Sequence, residues 1–210
     1  MKTATLDLHE LYIQLRTHLG GGHRWPAASK EELILGAILV QNTNWNNVVL
    51  TLERLKARTD FAAPKILELP KAELEELIRP SGFFTNKAAC IQEVFGWLAS
   101  HHFDYDGISA TYGEALRKEL LKLRGIGDET ADVLLLYVFD RTVFISDKYA
   151  QKLLGRLGME GLANYKQTAK RVSLDHRFSV EEAQEFHILI MEFGKLYLNR
   201  GKNFEESFLA

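Results

Sequence analysis

Apolar residues recur along most of the chain at the spacing of an amphipathic helix. Leu8, Leu11, Tyr12 and Leu15 follow the i, i+3, i+4, i+7 pattern, and the glycines at 20–22 end that segment. The same reasoning predicts helices behind Ser29, from Asn86 to about His101, from Asp128, from Lys148 to Leu157 and from about Ser179 to Leu198. We therefore predict an all-α fold of about ten helices joined by short loops.

One short segment favours β-structure instead. Residues Thr142, Val143, Phe144 and Ile145 are β-branched or aromatic, but the sequence offers no evident partner strand. We interpret this run as an extended linker that packs on helices.

Composition limits the classes of protein that fit. Of 210 residues, 46% are hydrophobic and 26% are charged, as in soluble globular proteins. A single cysteine excludes an internal disulfide and any site that needs several thiolates, and it fits a reducing compartment. The seven histidines show no zinc-hydrolase spacing, so no metal is expected. With a net charge of -2, binding of nucleic acid would need a local basic surface.

The N-terminal sequence and the hydropathy indicate where the protein is expected to work. Residues 1–10 lack an apolar core of the kind found in signal peptides. The most apolar stretch, residues 33–40, is far too short to span a bilayer. We expect a soluble cytoplasmic protein that has no targeting segment and does not associate with a membrane.

The most informative segment is a turn with two glycines between two predicted helices. It contains Gly125, Ile126 and Gly127, followed by a helix that begins near Asp128. Both glycines are expected to permit a positive φ and to leave amides uncovered, while Ile126 is expected to pack between the helices. The amides and the helix N-terminus would form an anion site suited to a DNA phosphate. A dinucleotide fingerprint fits poorly, because Thr130 replaces its third glycine.

Several segments together resemble one protein family. The segment Leu-x-Gly-Ile-Gly-x-x-Thr-Ala, from Leu123, is followed by Val143-Phe144-Ile145-Ser146-Asp147-Lys148-Tyr149. This pairing resembles the helix-hairpin-helix–Gly/Pro–Asp signature of the endonuclease III superfamily of DNA glycosylases. The segments at 35–43 and 82–88 are similar to those that approach DNA in that family. The resemblance covers roughly residues 31–158.

Two differences from the common members refine the resemblance. The iron–sulfur branch has four cysteines, whereas this chain has only Cys90, so no iron–sulfur cluster is expected. Bifunctional members have a catalytic lysine where this chain has Glu129. The sequence is most similar to the cluster-free branch, 3-methyladenine DNA glycosylase III. The resemblance also implies a monovalent cation at the hairpin.

The resemblance implies a catalytic carboxylate. Asp147 would stabilise positive charge on the deoxyribose and orient a water toward C1′. An aspartate at a helix start is also an ordinary N-cap, and both roles can coexist. Glu129 could help to place the water, although an acidic residue in a first helical turn is also favoured by the helix dipole.

The remaining candidates are assigned to the base pocket and to DNA. By resemblance, Trp45, Trp25, Pro26 and Lys195 lie at the pocket, where aromatic faces would stack on a cationic alkylated purine. The DNA-binding candidates are Gln41, Phe83, Lys87, Gly125, Ile126, Gly127 and Lys148. Within this set, Gln41 and Phe83 would fill the gap left by the flipped nucleotide, and Lys87 and Lys148 would contact phosphates.

We therefore expect a monofunctional, monomeric glycosylase that removes 3-methyladenine-type purines from damaged double-stranded DNA. We also expect residues 26–140 to form one helical lobe and residues 1–25 with 141–210 a second, with a DNA-binding cleft between them. Two alternatives stay open at this point. One is a glycosylase for oxidised pyrimidines or mismatches on the same fold, and the other is a non-catalytic helix-hairpin-helix DNA-binding protein.

Overall fold

The computed structural model describes residues 6–210, and the regular elements in that range are helical. The all-α prediction is confirmed. The helices are α1 Leu8–Leu19, α2 Lys30–Leu39, α3 Trp45–Thr59, α4 Ala63–Glu68, α5 Lys71–Ile78, α6 Phe84–Ser100, α7 Tyr105–Tyr112, α8 Leu116–Leu120, α9 Asp128–Tyr137, α10 Lys148–Arg156, α11 Tyr165–Arg171 and α12 Val180–Tyr197. Short 3-10 helices occupy Arg79–Ser81, Gly113–Ala115 and Phe204–Glu206.

Part of the expectation about a targeting segment rests on residues 1–5, which lie outside the described residues. Among residues 6–210, no helix combines the length and the apolar character that crossing a bilayer requires. The run Thr142–Ile145 forms no strand and no helix.

The helices form two compact units. One is the continuous segment Ala27–Phe139, and the other combines the described residues up to Pro26 with Asp140–Ala210. We call them the hairpin unit and the two-segment unit.

The hairpin unit is built around α2. Six consecutive residues of this helix, from Ile34 to Leu39, are buried, because α3, α6 and α9 all pack against it. Ser29 begins α2 by accepting a hydrogen bond from the Glu32 amide at 3.2 Å. A helix that is apolar all round in this way belongs at the centre of a core.

The two-segment unit is organised by α12, which packs against α1 and α10. Ser179 and Glu182 form a complete capping box at the start of α12. The core of the unit includes Tyr12 from α1 and Phe186 and Phe193 from α12, each 1% exposed or less. Residues from both ends of the described chain therefore share one core.

Some helix boundaries differ from those expected. The helix predicted to open at Asn86 begins at Phe84, after Phe83 adopts a left-handed backbone. The sequence places the end of the first hairpin helix at Leu123, next to the glycine turn, but the helix ends at Leu120 and a short turn follows it. Local periodicity indicated both helices but not the turns that bound them.

Candidate functional site

Asp147 is fixed at the N-terminus of α10. Its Oδ1 accepts a hydrogen bond from the Ala150 amide at 2.7 Å, and the residue is 8% exposed. The preceding residues Phe144, Ile145 and Ser146 are also buried. Asp147 is therefore the N-cap of α10, and one of its two oxygens is committed to that bond.

A buried histidine lies beside this carboxylate. Nε2 of His187, on α12, is 3.9 Å from Oδ2 of Asp147. Burial lowers the pKa of His187 to about 4. At neutral pH the imidazole is therefore uncharged and does not neutralise the carboxylate.

The loop that leads to Trp25 is anchored by Glu185. Its carboxylate accepts hydrogen bonds from the Tyr12 hydroxyl at 2.7 Å, from the His23 amide at 3.1 Å and from the Gly22 amide. Burial alone would raise the pKa of Glu185, but these hydrogen bonds and Arg16 hold it below the usual value. Trp25 is half-buried two residues beyond His23, and Pro26, which follows it, is exposed.

Two lysine candidates of the same unit are exposed. Lys148 is the first residue of α10, and Lys195 lies in the last turn of α12. Gly194 allows α12 to approach α10 closely, because a Cβ there would lie 2.1 Å from Cδ1 of Tyr149.

The hairpin of the other unit needs one of its glycines for folding. Gly125 has a φ of +88°, and a Cβ on it would lie 2.8 Å from Cβ of Cys90. Ile126 is 6% exposed, as expected of the residue that packs between the helices. The expectation of a positive φ at Gly127 is wrong: its φ is -94°, which any residue adopts.

Gly127 instead leaves space at the start of α9. It is the N-cap of α9 and gives no side-chain cap, and apart from its two chain neighbours no residue has an atom within 4 Å of the position a Cβ would take. The N-terminus of α9 is therefore not covered by a side chain at this residue, which suits the approach of an anion.

An ion-pair cluster joins the two helices of the hairpin. Arg117 of α8 donates to both carboxylate oxygens of the buried Asp132 on α9, at 2.6 and 3.0 Å. It also donates to Asp128 at 3.1 Å. The bidentate pair fixes the angle between the helices, and its charge offsets an acidic residue next to the candidate anion site.

Gln41 lies against the hairpin. Its Nε2 donates to the Gly125 carbonyl at 3.2 Å and to Oγ1 of Thr130 at 2.9 Å. In the sequence, Thr130 belongs to the segment that resembles the family signature, and the structure adds this contact with Gln41.

Phe83 combines exposure with a strained backbone. It is 65% exposed and has a φ of +48°, in the left-handed region that residues other than glycine rarely adopt. A cavity of about 310 Å³ is lined by Phe83, Gln41 and Lys87. Such an outlier at a cavity is typical of a functional site.

The structure corrects the assignment of Lys87 to DNA phosphates. The residue is 3% exposed, and its Nζ donates to the Leu39 carbonyl at 2.8 Å and to the Ser81 carbonyl at 2.6 Å. An amine enclosed in this way cannot reach a phosphate, so Lys87 has an internal role.

Trp45 and Glu129 both occupy first helical turns. Trp45 is the half-buried first residue of α3, which Asn44 caps through the Asn47 amide at 3.0 Å. Glu129 is exposed in the first turn of α9. Within residues 6–210, no three His, Cys, Asp or Glu side chains are grouped so that they could hold a metal ion.

Similar sequences and structures are known. The model of the HhH-GPD superfamily of base excision DNA repair proteins matches residues 35–174. A putative DNA repair glycosylase of Methanocaldococcus jannaschii is 33% identical over 196 residues, which cover 92% of this chain and 89% of that protein.

Two solved structures resemble most of the chain. The H. pylori 3-methyladenine DNA glycosylase bound to 1,N6-ethenoadenine superposes with a TM-score of 0.72 at 29% identity, over 90% of this chain and 98% of that one. An endonuclease III in non-covalent complex with DNA superposes with a TM-score of 0.76 at 21% identity, over 98% and 94%. At that identity the second likeness shows the fold alone.

Proposed function

Because the chain belongs to the HhH-GPD superfamily of base excision DNA repair proteins, we propose that it removes alkylated purines of the 3-methyladenine type and leaves the strand uncut. The chain is a DNA glycosylase, an enzyme that breaks the bond between a base and its deoxyribose. The substrate class is supported by the H. pylori 3-methyladenine DNA glycosylase, which is similar over 98% of its length.

The observation that carries the catalytic assignment is the environment of Asp147. As the base leaves, positive charge develops on the deoxyribose, and a fixed carboxylate stabilises it. The Ala150 amide holds Oδ1 and so fixes the carboxylate, which is assigned to face the sugar or to orient a water toward C1′. The neutral His187 leaves that negative charge in place.

The hairpin unit would hold the DNA backbone and fill the gap. The amides at Gly125 and Gly127 would bind a phosphate, with Ile126 supporting the turn from within. Gln41 would leave the hairpin to face the orphaned base, and the exposed Phe83 would unstack its neighbour. The exposed Lys148 of the other unit is proposed as a further phosphate contact.

Trp45, Trp25 and Pro26 are proposed as the walls of the base pocket. A purine alkylated at N3 is cationic and is attracted to electron-rich ring faces, by about 0.5 to 2 kcal/mol for each contact. The anchoring of the Trp25 loop by Glu185 supports a fixed wall on that side. Lys195 would lie near the pocket rim.

The absence of strand cleavage is supported by Glu129. A lyase needs an amine that attacks C1′ and forms a Schiff base. The position of the family lysine carries a carboxylate here, so water directed by Asp147 is the proposed nucleophile. Glu129 could assist in placing that water.

No iron–sulfur cluster is proposed, because one cysteine cannot supply four thiolates. A monovalent cation at the hairpin is compatible with the carbonyls there. Those of Leu123 and Gly125 each accept one internal hydrogen bond and keep a second lone pair. We also propose that the protein acts on damaged duplex DNA as a monomer in the cytoplasm.

A screen of base release tests the proposal. Duplexes that each carry one defined lesion are incubated with the protein, and the freed base and the state of the strand are measured. We expect release of 3-methyladenine with an intact abasic strand. Preferential release of an oxidised pyrimidine or a mismatched thymine would support the alternative substrate class instead.

A further inference from the structure

The amine of Lys87 joins two turns of the hairpin unit. One acceptor is the carbonyl of Leu39, the last residue of α2, and the other is the carbonyl of Ser81, the last residue of a 3-10 helix. Gln41 lies two residues after Leu39, and Phe83 lies two residues after Ser81. A single side chain therefore binds the backbone just ahead of both candidate inserting residues.

Neither turn is fixed by regular structure. Asn42, next to Gln41, has a φ of 54°, and Gly82 and Phe83 have φ values of 69° and 48°. The last carbonyls of a helix lack donors within that helix, so they need a partner from elsewhere. The ammonium supplies this partner to both turns, and its charge is favourable at the C-terminus of α2.

Packing alone does not account for a lysine at this position. Burial lowers the pKa of Lys87 to about 8, which means that the surroundings disfavour its charge. A methionine would fill similar space without that desolvation cost. What the lysine adds is two directed hydrogen bonds, at 2.8 and 2.6 Å.

We propose that Lys87 is a positioning residue whose amine fixes the separation of the turns that carry Gln41 and Phe83, so that both side chains enter one gap in a duplex. Gln41 and Phe83 line the same cavity, and Lys87 forms part of its wall. The inference rests on the proposed function in one respect, the insertion of Gln41 and Phe83 into DNA.

The first test replaces Lys87 with methionine. In K87M, single-turnover base release should slow by about 10- to 100-fold, because a displacement of about 1 Å in a positioning element costs up to about 100-fold. Affinity for undamaged duplex should stay within about twofold, since the hairpin contacts are kept. Lys71→Met, on the exposed side of α5, is the matched control and should leave both quantities unchanged.

Salt dependence separates this role from a phosphate contact. If Lys87 bound a phosphate, its loss would reduce the slope of log affinity against log salt by about one. We expect the slope of K87M to equal that of the unmodified protein. A reduced slope would overturn the proposal.

A double-mutant cycle separates positioning from a general structural role. K87M is combined with the pair Gln41→Ala and Phe83→Ala, and base unstacking is followed by 2-aminopurine fluorescence beside the lesion. If Lys87 acts through these two side chains, K87M should change the signal by less than about twofold once they are removed. Additive effects would show a merely structural contribution and refute the inference.

Two further measurements keep the outcome decisive. If K87M does not fold, Lys87→Arg takes its place in the same cycle, because its wider fork keeps donors but alters the separation. If the unmodified protein releases no 3-methyladenine, the proposed substrate fails visibly. The fluorescence cycle then still measures whether Lys87 and the inserting residues are coupled.

Discussion

Replacing Asp147 by asparagine and by alanine separates its structural bond from its chemistry. Asparagine keeps an oxygen that can accept the hydrogen bond from the Ala150 amide, which in Asp147 has a length of 2.7 Å. Asparagine is also as favourable as aspartate at the N-cap position. Alanine removes the acceptor altogether. The two variants therefore differ in the cap but share the loss of charge.

The structure sets the size of the expected stability effects. Ala150 is 0% exposed, so its amide has no access to water when the cap is lost. Loss of an N-cap typically costs about 1 kcal/mol, and an unsatisfied buried amide costs about 1 to 3 kcal/mol. We expect Asp147→Ala to lower the free energy of unfolding by about 2 kcal/mol and Asp147→Asn by less than ~0.5 kcal/mol.

The rate of base release should not follow the free energy of unfolding in these two variants. Removal of a preorganised charge aimed at a transition state costs about 100- to 1000-fold in rate. Both variants should therefore lose that factor in single-turnover base release, measured below their unfolding temperatures, while duplex binding is retained. If Asp147→Asn releases bases at close to the normal rate, Asp147 is only a cap and the catalytic assignment is wrong.

Three further predictions follow from the described geometry. Gly125→Ala should lower the free energy of unfolding, because Gly125 has a positive φ and a Cβ there would collide with Cys90. Gly127→Ala should leave that free energy unchanged and weaken binding to damaged and undamaged duplexes equally, and a loss confined to lesion-containing duplexes would contradict the phosphate role. Since the folded pKa of His187 is about 4 against 6.5, the unfolded chain binds more protons between those values, and stability should fall as the pH decreases through that window. In His187→Gln, the free energy of unfolding should vary less with pH in that window, by up to ~3 kcal/mol. An unchanged pH dependence would show that the histidine is accessible to solvent. Borohydride should trap no protein–DNA adduct during turnover, because Glu129 has no amine; capture abolished by mutating one lysine would reveal a lyase.

Local sequence signals predicted what local physics decides. The periodicity of α1 and α12 and the aspartate before α10 were sufficient, because amphipathic faces and N-caps depend on residues a few positions apart. The capping box of Ser179 and Glu182 forms within a single turn.

The errors and omissions concern residues whose partners are distant in the chain. Lys87 was predicted to contact a DNA phosphate, and only the packing of α6 against α2 reveals that its amine is enclosed. Glu185 is an unremarkable acidic residue until α1 and the loop at Gly22 and His23 are brought to it. The hydrophobic periodicity of a segment cannot predict contacts with residues that are distant in the chain.

The left-handed backbone of Phe83 could not be predicted for another reason, although the residue itself is among the predicted DNA-binding candidates. No glycine or asparagine stands at that position to signal a positive φ, so the start of α6 was placed too late. The difference between Gly125 and Gly127 was equally invisible, because the sequence letter does not say which glycine is needed for the fold and which leaves space.

The division of the fold has a consequence for the order in which a growing chain acquires its parts. The hairpin unit is one continuous segment, Ala27–Phe139, whereas Asp147 lies in a unit whose central helix, Val180–Tyr197, is made much later. The N-terminal part of a nascent chain emerges from the ribosome first, and compact units tend to fold as they emerge. A chain interrupted before α12 would thus contain the surface proposed to hold DNA, but α1 and α10 would lack the helix against which they pack. Under the proposed assignments, an incomplete copy would therefore carry the DNA-contact surface but not the folded surroundings of Asp147, and it would bind a damaged site without releasing the base.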